Sequence, residues 1–369
     1  MMVDMVLPLR VGLQQRIFPS YRSAFFDSLA AACGDGLSVF AGQPLPSESV
    51  QCGDHLEEAC LVLERNIHYF AGRFYLYRQP ALQDWLAKWN PQVLVAEVNP
   101  RNLSLPAAIR WMHRHNRRVI GWGLGAPANQ GISSYLQHAN WRRFIHQFDN
   151  LVTYSQKGAA EYITAGFEKT NIIVAPNAVA PRQRFPMPQR PQEFSTRPVV
   201  LFVGRLQDRK KVDNLIRACA ALPPGLQPDL WIVGDGPARN GLELLAGKIY
   251  PSAEFTGARH GKELQPFFLK ADLFVLPGTG GLAIQQAMSY GLPVIAAEAD
   301  GTQQDLVRPT NGWQIPPGNL ARLTETLSSA LSDVTRLRQM GKDSYQIVHD
   351  EINVETMVKM FIKALSVDI

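Results

Sequence analysis

Leu276-Pro-Gly278-Thr279-Gly280-Gly281-Leu282-Ala283-Ile-Gln-Gln286-Ala-Met-Ser-Tyr-Gly291-Leu-Pro293-Val-Ile295 decides how this chain folds. An apolar strand runs into a loop holding Gly278, Gly280 and Gly281, and an apolar-periodic helix follows. Gly291-Leu-Pro293 then stops that helix and starts another strand. Free N–H groups at the start of such a helix, beside glycines that admit close approach, form a cradle for an anion.

The same design recurs upstream. Val199–Val203 reads as a buried strand ending at Gly204, followed by Arg205, Arg209, Lys210 and Lys211 just before a helix over 211–221. Read functionally, these cations neutralise a diphosphate; read otherwise, they are a solvated basic loop. Leu230–Val233 runs into Gly234-Asp235-Gly236, which alone is a turn needing no function. Further strands are expected at 253–256, 273–276 and 294–297, with helices at 240–249, 264–270, 282–289 and 320–332. Strands alternating with helices predict an open parallel sheet whose ligands lie beyond the carboxyl ends of the strands.

The first half alternates in the same way. Strands are expected at 5–9, 37–41, 93–98, 118–122, 150–153 and 171–175. Residues 5–9 read as a first strand and not as a signal peptide. Five prolines in the eighteen residues Pro181–Pro198 argue against helix and central strand, and predict an exposed, semi-extended linker. The expected organisation is an N-terminal domain over 1–180, the linker 181–198 and a C-terminal domain over 199–349. A last helix near 350–369 is expected to pack back on the first domain. The fold class is α/β, with two Rossmann-like doubly wound domains facing across a cleft.

Of the 369 residues 46% are hydrophobic, enough for two packed domains. The net charge of +5 favours anionic small molecules or a membrane surface. No basic stripe interleaved with aromatics points to nucleic acid, and no apolar run of about 18 residues predicts a membrane span. Cys33, Cys52, Cys60 and Cys219 show neither a CxxC pair nor metal-ligand spacing, and are expected to be buried or idle thiols in a reducing cytosol.

The C-terminal motifs together resemble those of the retaining GT-B glycosyltransferases called family 4. The resemblance runs from about Val199 to Gly318. It rests on Val203-Gly204-Arg205-Leu206 with Lys210, Val233-Gly234-Asp235-Gly236-Pro237, Ala271-Asp272 to Pro277, Gln286 to Ile295, and Asn311-Gly312 to Gly318. It implies a nucleotide-diphosphate sugar as donor substrate, no cofactor, no metal and retention of configuration. Arg205 and Lys210 are then the catalytic cations. Gly204, Gly234, Gly236, Gly278, Thr279, Gly280, Gly281, Leu282, Ala283 and Gln286 line the donor. The absence of any Asp-x-Asp agrees with metal independence. The chain departs from the family at two glutamate positions eight residues apart, which read Gly278 and Gln286; a third reads Gln304, beside Asp305. Donor-sugar recognition must therefore differ.

The acceptor side is expected among Arg16, Tyr21, Arg22, Glu97, Asn99, Arg101, Gly123 and Gly125, all at predicted strand ends. For Glu97 a buried or capping carboxylate is the competing reading. The expected acceptor is a sugar or a lipid-linked hydroxyl compound. Arg110, Arg114, Arg117 and Arg118 read as a solvated face or as a contact for anionic headgroups. Phe70–Tyr77 reads mainly as core packing. The histidines His113, His115, His138 and His146 read as surface or packed side chains. The implied setting is cytoplasmic or peripheral on a membrane's inner face. The competing function is a degenerate protein of the same fold that binds a nucleotide sugar or a partner. An epimerase would need a cleft acid and base that are not evident, and no G-x-G-x-x-G after the first strand supports a dehydrogenase.

Overall fold

A computed structural model describes residues 6–45, 48, 50–70, 72–127, 134–194 and 196–367. The chain divides into two compact units, Met1–Pro181 with Val354–Ile369, and Arg182–Asn353.

The first unit is built on β1 (Val11–Ile17), β2 (Leu37–Gly42), β3 (Cys60–Glu64), the hairpin β4 (Ile67–Tyr69) and β5 (Leu76–Arg78), β6 (Val93–Glu97), β7 (Arg118–Gly123), β8 (Asn150–Thr153) and β9 (Ile172–Val174). Its parallel sheet has the order β3-β2-β1-β6-β7-β8-β9. Helices α1 (Ser23–Ala30), α2 (Leu82–Trp89), α3 (Leu105–Arg114), α4 (Ser134–Ile145) and α5 (Gln156–Thr164) cover it. Two apolar clusters result: one gathers Phe25, Phe26 and Trp122, the other Leu82, Trp85 and Ile109. Burial on both faces is why β2, β6 and β8 read as largely apolar runs.

The second unit carries β10 (Val199–Val203), β11 (Asp229–Val233), β12 (Glu254–Gly257), β13 (Leu273–Leu276), β14 (Val294–Ala297) and β15 (Gly312–Ile315), all parallel in the order β12-β11-β10-β13-β14-β15. Its helices are α6 (Val212–Ala221), α7 (Arg239–Ile249), α8 (Gln265–Lys270), α9 (Leu282–Ser289), α10 (Thr302–Leu306), α11 (Leu320–Leu331) and α12 (Val334–Asp350). α6 packs on α7 and α11, and α9 on α12. The chain then returns to the first unit as α13 (Val354–Leu365), whose Phe361 packs edge-on against Phe25 and Trp122. Arg118 holds the end of that helix by donating to the carbonyls of Leu365 (2.6 Å) and Val367, where exposed helix acceptors favour a cation.

Several expectations are corrected. The first strand is Val11–Ile17, not 5–9; Met5 lies outside the described residues, and Leu7 makes only one bridge, to Cys33. The polar run Gln14-Gln15-Arg16 disguised a central strand. Gln14 and Gln15 are buried, and Gln79 ties both: its Oε1 accepts from the Gln14 amide at 2.7 Å, and its amide donates to the Gln15 carbonyl at 3.0 Å. Satisfying the amides removes most of the cost of burying them. β3, the hairpin, α10 and β15 were not foreseen.

The proline-rich stretch belongs to the second unit and is pinned along its surface. Arg190 donates to the carbonyls of Phe268, Ala271, Tyr290 and Gly291, at the ends of α8 and α9. Arg338 donates to the Pro191 carbonyl, and the Tyr345 hydroxyl to that of Phe185. The orphan carbonyls of two helix ends thus pin a segment that is largely exposed and, among its described residues, without helix or strand, as its composition predicts. Cys33 and Cys219 are buried, whereas Cys52 and Cys60 are exposed, and all four are free thiols. Among the described residues no helix is long and apolar enough to cross a membrane.

Candidate functional site

In the second unit the chain leaves β10 for β11 and β12 on one side, then returns through β13 to the other side of β10. That reversal makes the carboxyl ends of β10 and β13 the switch point where sheets of this kind bind ligands. The loops leaving those two strands are Gly204–Lys211 and Pro277–Gly281.

The two loops are bonded to each other. The Thr279 N–H donates to the Arg209 carbonyl at 3.0 Å, and the Arg209 guanidinium donates to Thr279 Oγ1 at 3.2 Å. Gly278 is pressed so closely against Arg209 and Lys210 that a Cβ there would overlap the Arg209 carbonyl and lie 2.6 Å from Lys210 Cα. No side chain fits at that position without parting the loops, which accounts physically for the missing carboxylate.

Gly280 has φ +137°, a value that penalises any residue with a Cβ, and the Cβ it lacks would overlap Lys210 Nζ. The ammonium therefore lies directly against the Gly280 backbone. Lys211, at φ 54°, makes the left-handed turn that separates Lys210 from the start of α6. Such a conformation costs roughly 1–2 kcal/mol for a residue with a Cβ and is characteristic of places where geometry serves a site. Burial, reinforced by the adjacent Arg209 charge, lowers the Lys210 pKa to about 8. Gly281 caps α9 with no side-chain bond; the Ile284 N–H donates to the Gly281 carbonyl at 3.0 Å, which leaves those of Leu282 and Ala283 for an anion.

The third predicted loop is linked in as well. The Leu206 N–H donates to the Asp235 carbonyl at 2.8 Å, and the Ala238 N–H to the Leu206 carbonyl at 3.1 Å. Gly234 and Gly236 thus follow a strand end beside Gly204. Arg205 is exposed on the same loop. Gln286 is half-buried on α9 and Gln304 is exposed. The residue missed by sequence reading is Gln303. It is buried, and its Nε2 donates to the Gly280 carbonyl at 2.7 Å. No spacing rule would have selected it over Gln304.

Residues 183–347 match the family model described as Glycosyl transferases group 1. The match spans nearly the whole of the second unit, which resembles a group 1 glycosyl transferase domain.

The chain is also similar to a GDP-mannose-dependent alpha-mannosyltransferase of Mycobacterium tuberculosis, 35% identical over 183 residues, 47% of this chain and 46% of the relative. A Corynebacterium glutamicum protein named GDP-mannose-dependent monoacylated alpha-(1-6)-phosphatidylinositol monomannoside mannosyltransferase is 24% identical over 294 residues, 74% and 73% of the two chains. The chain spans about half the length of other such curated relatives (43% and 50% of two of them), as it does of the Mycobacterium protein. Among solved structures, Anabaena HepE in complex with UDP matches with a TM-score of 0.72 at 17% identity, covering 96% of this chain and 99% of that one. At that identity the likeness shows the fold, GT-B, with two Rossmann-like halves.

The first unit has its own switch point between β1 and β6, and the residues expected to serve the acceptor of a group 1 transferase divide there. Arg16 and Glu97 come together: the Arg16 N–H donates to Glu97 Oε2 at 3.0 Å, and the Arg16 guanidinium pairs with Glu48 at 2.9 Å. Burial pushes the Glu97 carboxyl above its ordinary range, against the pull of Arg16. The Tyr77 hydroxyl also reaches Glu97, at 3.4 Å. Tyr21 is exposed, and Asn99 accepts from the Arg101 N–H at 3.2 Å.

Other expectations fail on packing. Arg22 is buried; it donates to Asn177 Oδ1 at 2.6 Å and its guanidinium lies over Trp122 and Tyr154, so it binds the unit's own interior. Gly123 is buried with Tyr162 and Val98 in the Cβ direction, and Glu161 occupies the Cβ direction at the half-buried Gly125. Arg117 donates to the Pro91 carbonyl, so with Arg118 two of the four clustered arginines serve the fold. His113 pairs with Asp149 at 3.2 Å, and His115 is bonded to the Trp111 carbonyl. Phe70 (76% exposed) and Phe74 (65%) project from the hairpin tip, whereas Tyr77 is buried, so only the end of that stretch is core.

Proposed function

We propose that this protein transfers a sugar from a nucleotide-diphosphate donor, held by the second unit, to a hydroxyl of a sugar or lipid-linked acceptor, with retention of configuration and without a metal. The observation that carries the reading is the seat of Lys210 Nζ against the Gly280 backbone at the switch point, beside the uncapped start of α9. As the bond between the anomeric carbon and the diphosphate oxygen breaks, negative charge grows on the leaving group. Lys210, Arg205 and the amides from Gly280 to Ala283 are the groups that stabilise it. Each well-placed donor of this kind is worth on the order of 3 kcal/mol in the transition state. Gly204, Gly234 and Gly236 keep the backbone low around the nucleotide, and Thr279, Leu282 and Gln286 line the same mouth.

The acceptor is assigned to the first unit, with Arg16, Tyr21, Glu97, Asn99 and Arg101 as the candidate contacts. The products fit the assembly of a polysaccharide or glycolipid, and the two mannosyltransferase relatives make GDP-mannose the first donor to assay. Gly278, where no carboxylate can be accommodated, favours a second reading, a protein of this fold that binds a nucleotide sugar without turning it over.

One experiment addresses both. Purified protein is screened for thermal stabilisation by GDP, UDP and dTDP, and then for slow hydrolysis of the matching sugar donor. Stabilisation of about 2.7 kcal/mol is expected at a ligand concentration 100 times Kd. Stabilisation with donor cleavage supports the transferase. Stabilisation with no cleavage under any donor and acceptor supports the binding protein, and no stabilisation by any nucleotide overturns both.

A further inference from the structure

We propose that Gln303 is a positioning residue of the donor site: its side-chain amide holds the Gly280 carbonyl so that the Gly281 N–H is turned toward the diphosphate. The inference rests on the donor site proposed above and assigns one of its determinants to a residue outside the glycine motif.

The peptide joining Gly280 to Gly281 is planar and trans, so its C=O and N–H point in opposite directions. Whatever fixes the carbonyl therefore fixes the amide hydrogen. Gly280, at φ +137° and without a Cβ, has no intrinsic preference strong enough to do so. Gln303 supplies the missing constraint from α10, with a 2.7 Å bond from Nε2 to the Gly280 carbonyl. Reversing the amide would set Oε1 against that carbonyl, two acceptors face to face, so the donor end is the one that must face Gly280.

Three further observations fit a positioning role. Gln303 is fully buried, yet its Oε1 has no hydrogen-bond partner among the described residues. An orphaned buried acceptor costs about 1–3 kcal/mol, a cost that stability alone does not explain and that is characteristic of functional sites. The segment carrying Gln303 is itself held, since Thr302 donates to Asp300 Oδ1 through both its hydroxyl (2.6 Å) and its N–H (3.1 Å). Finally, the Gly280–Gly281 peptide is bracketed. Lys210 Nζ occupies one side of Gly280, and a Cβ on Gly281 would lie 3.4 Å from Thr302 Oγ1 and 3.6 Å from Gln303 Nε2. Gln303 thus does for the loop's geometry what Lys210 does for its charge.

The test is calorimetric titration of GDP and UDP into the full chain as wild type, Gln303→Leu, Gln303→Glu and Lys210→Met. Leucine keeps the volume and removes the donor. The expected result is binding weakened about tenfold, as for one hydrogen bond to a charged group. Glutamate can donate to the Gly280 carbonyl only when protonated. Binding to Gln303→Glu is therefore expected to strengthen toward the wild-type value as pH falls from 8 to 5, a rescue that a merely structural side chain would not show. Wild-type affinity in Gln303→Leu overturns the inference. So does a Gln303→Glu variant whose Kd keeps a constant ratio to that of wild type from pH 8 to 5, and this second variant decides the matter should Gln303→Leu not fold. If wild type binds and Lys210→Met weakens it while Gln303→Leu does not, the donor site stands and only this inference falls. If wild type binds neither nucleotide, both fall.

Discussion

Raising the pH from 7 to 9 is expected to weaken nucleoside diphosphate binding about tenfold, and Lys210→Met to remove that dependence. Lys210 is held near pKa 8 by burial first and by the neighbouring Arg209 second. Near pH 7 about nine in ten molecules then carry the ammonium, and near pH 9 about one in ten. The second ionisation of a terminal phosphate lies near pH 6, so the ligand's own charge changes little over this range. If only the charged lysine grips the diphosphate, the population able to bind falls about tenfold, or about 1.4 kcal/mol. The folding equilibrium moves in the opposite sense. Between about 8 and the ordinary value of 10.5 the unfolded chain holds a proton that the folded chain has released. Stability of the ligand-free protein attributable to this group therefore rises with pH across that window. Lys210→Met accordingly raises the Tm of the free protein at pH 7 while weakening the nucleotide complex. The assay is calorimetric titration of GDP and UDP at pH 7, 8 and 9, paired with thermal melts without ligand. A wild-type Kd constant from pH 7 to 9, or a Lys210→Met variant following the same curve as wild type, refutes the reasoning.

Gly278→Ala places a Cβ against the Arg209 carbonyl, an overpacking expected to cost about 1–3 kcal/mol and to lower Tm by roughly 2–4 °C per kcal/mol. A melt unchanged within 1 °C or so of wild type would show that the loops part freely. Arg190→Met leaves the carbonyls of Phe268, Ala271, Tyr290 and Gly291 without their shared donor; denaturant titration is expected to show a loss of at least about 3 kcal/mol, counting several buried acceptors.

Most of the second sheet was legible because β10, β11 and β13 are almost wholly apolar and run into Gly204, Gly234 and Gly278, whereas the mixed β15 was not foreseen. Buried parallel strands require the first feature, and close backbone approach the second. Leu273–Leu276 and Leu282–Ser289 stand where the pattern places them. β1 was displaced in the reading because Gln14, Gln15 and Arg16 look like loop residues until Gln79, more than sixty positions away, accepts from the Gln14 amide and donates to the Gln15 backbone carbonyl. The proline-rich stretch is largely exposed and, among its described residues, without helix or strand, as read, but its pinning was not legible, since it comes from Arg190 meeting helix ends distant in sequence.

Local sequence by itself settled which loops carry glycines and cations, since periodicity and turn chemistry act over a few residues. Only the tertiary structure decided which of those groups meet. It set Lys210 against Gly280, closed the space over Gly278, withdrew Arg22 and Gly123 from the surface and brought in Gln303. Contacts between loops of different strands depend on how the sheet is ordered and how closely the backbones approach, and neither quantity is written in the spacing of any one motif.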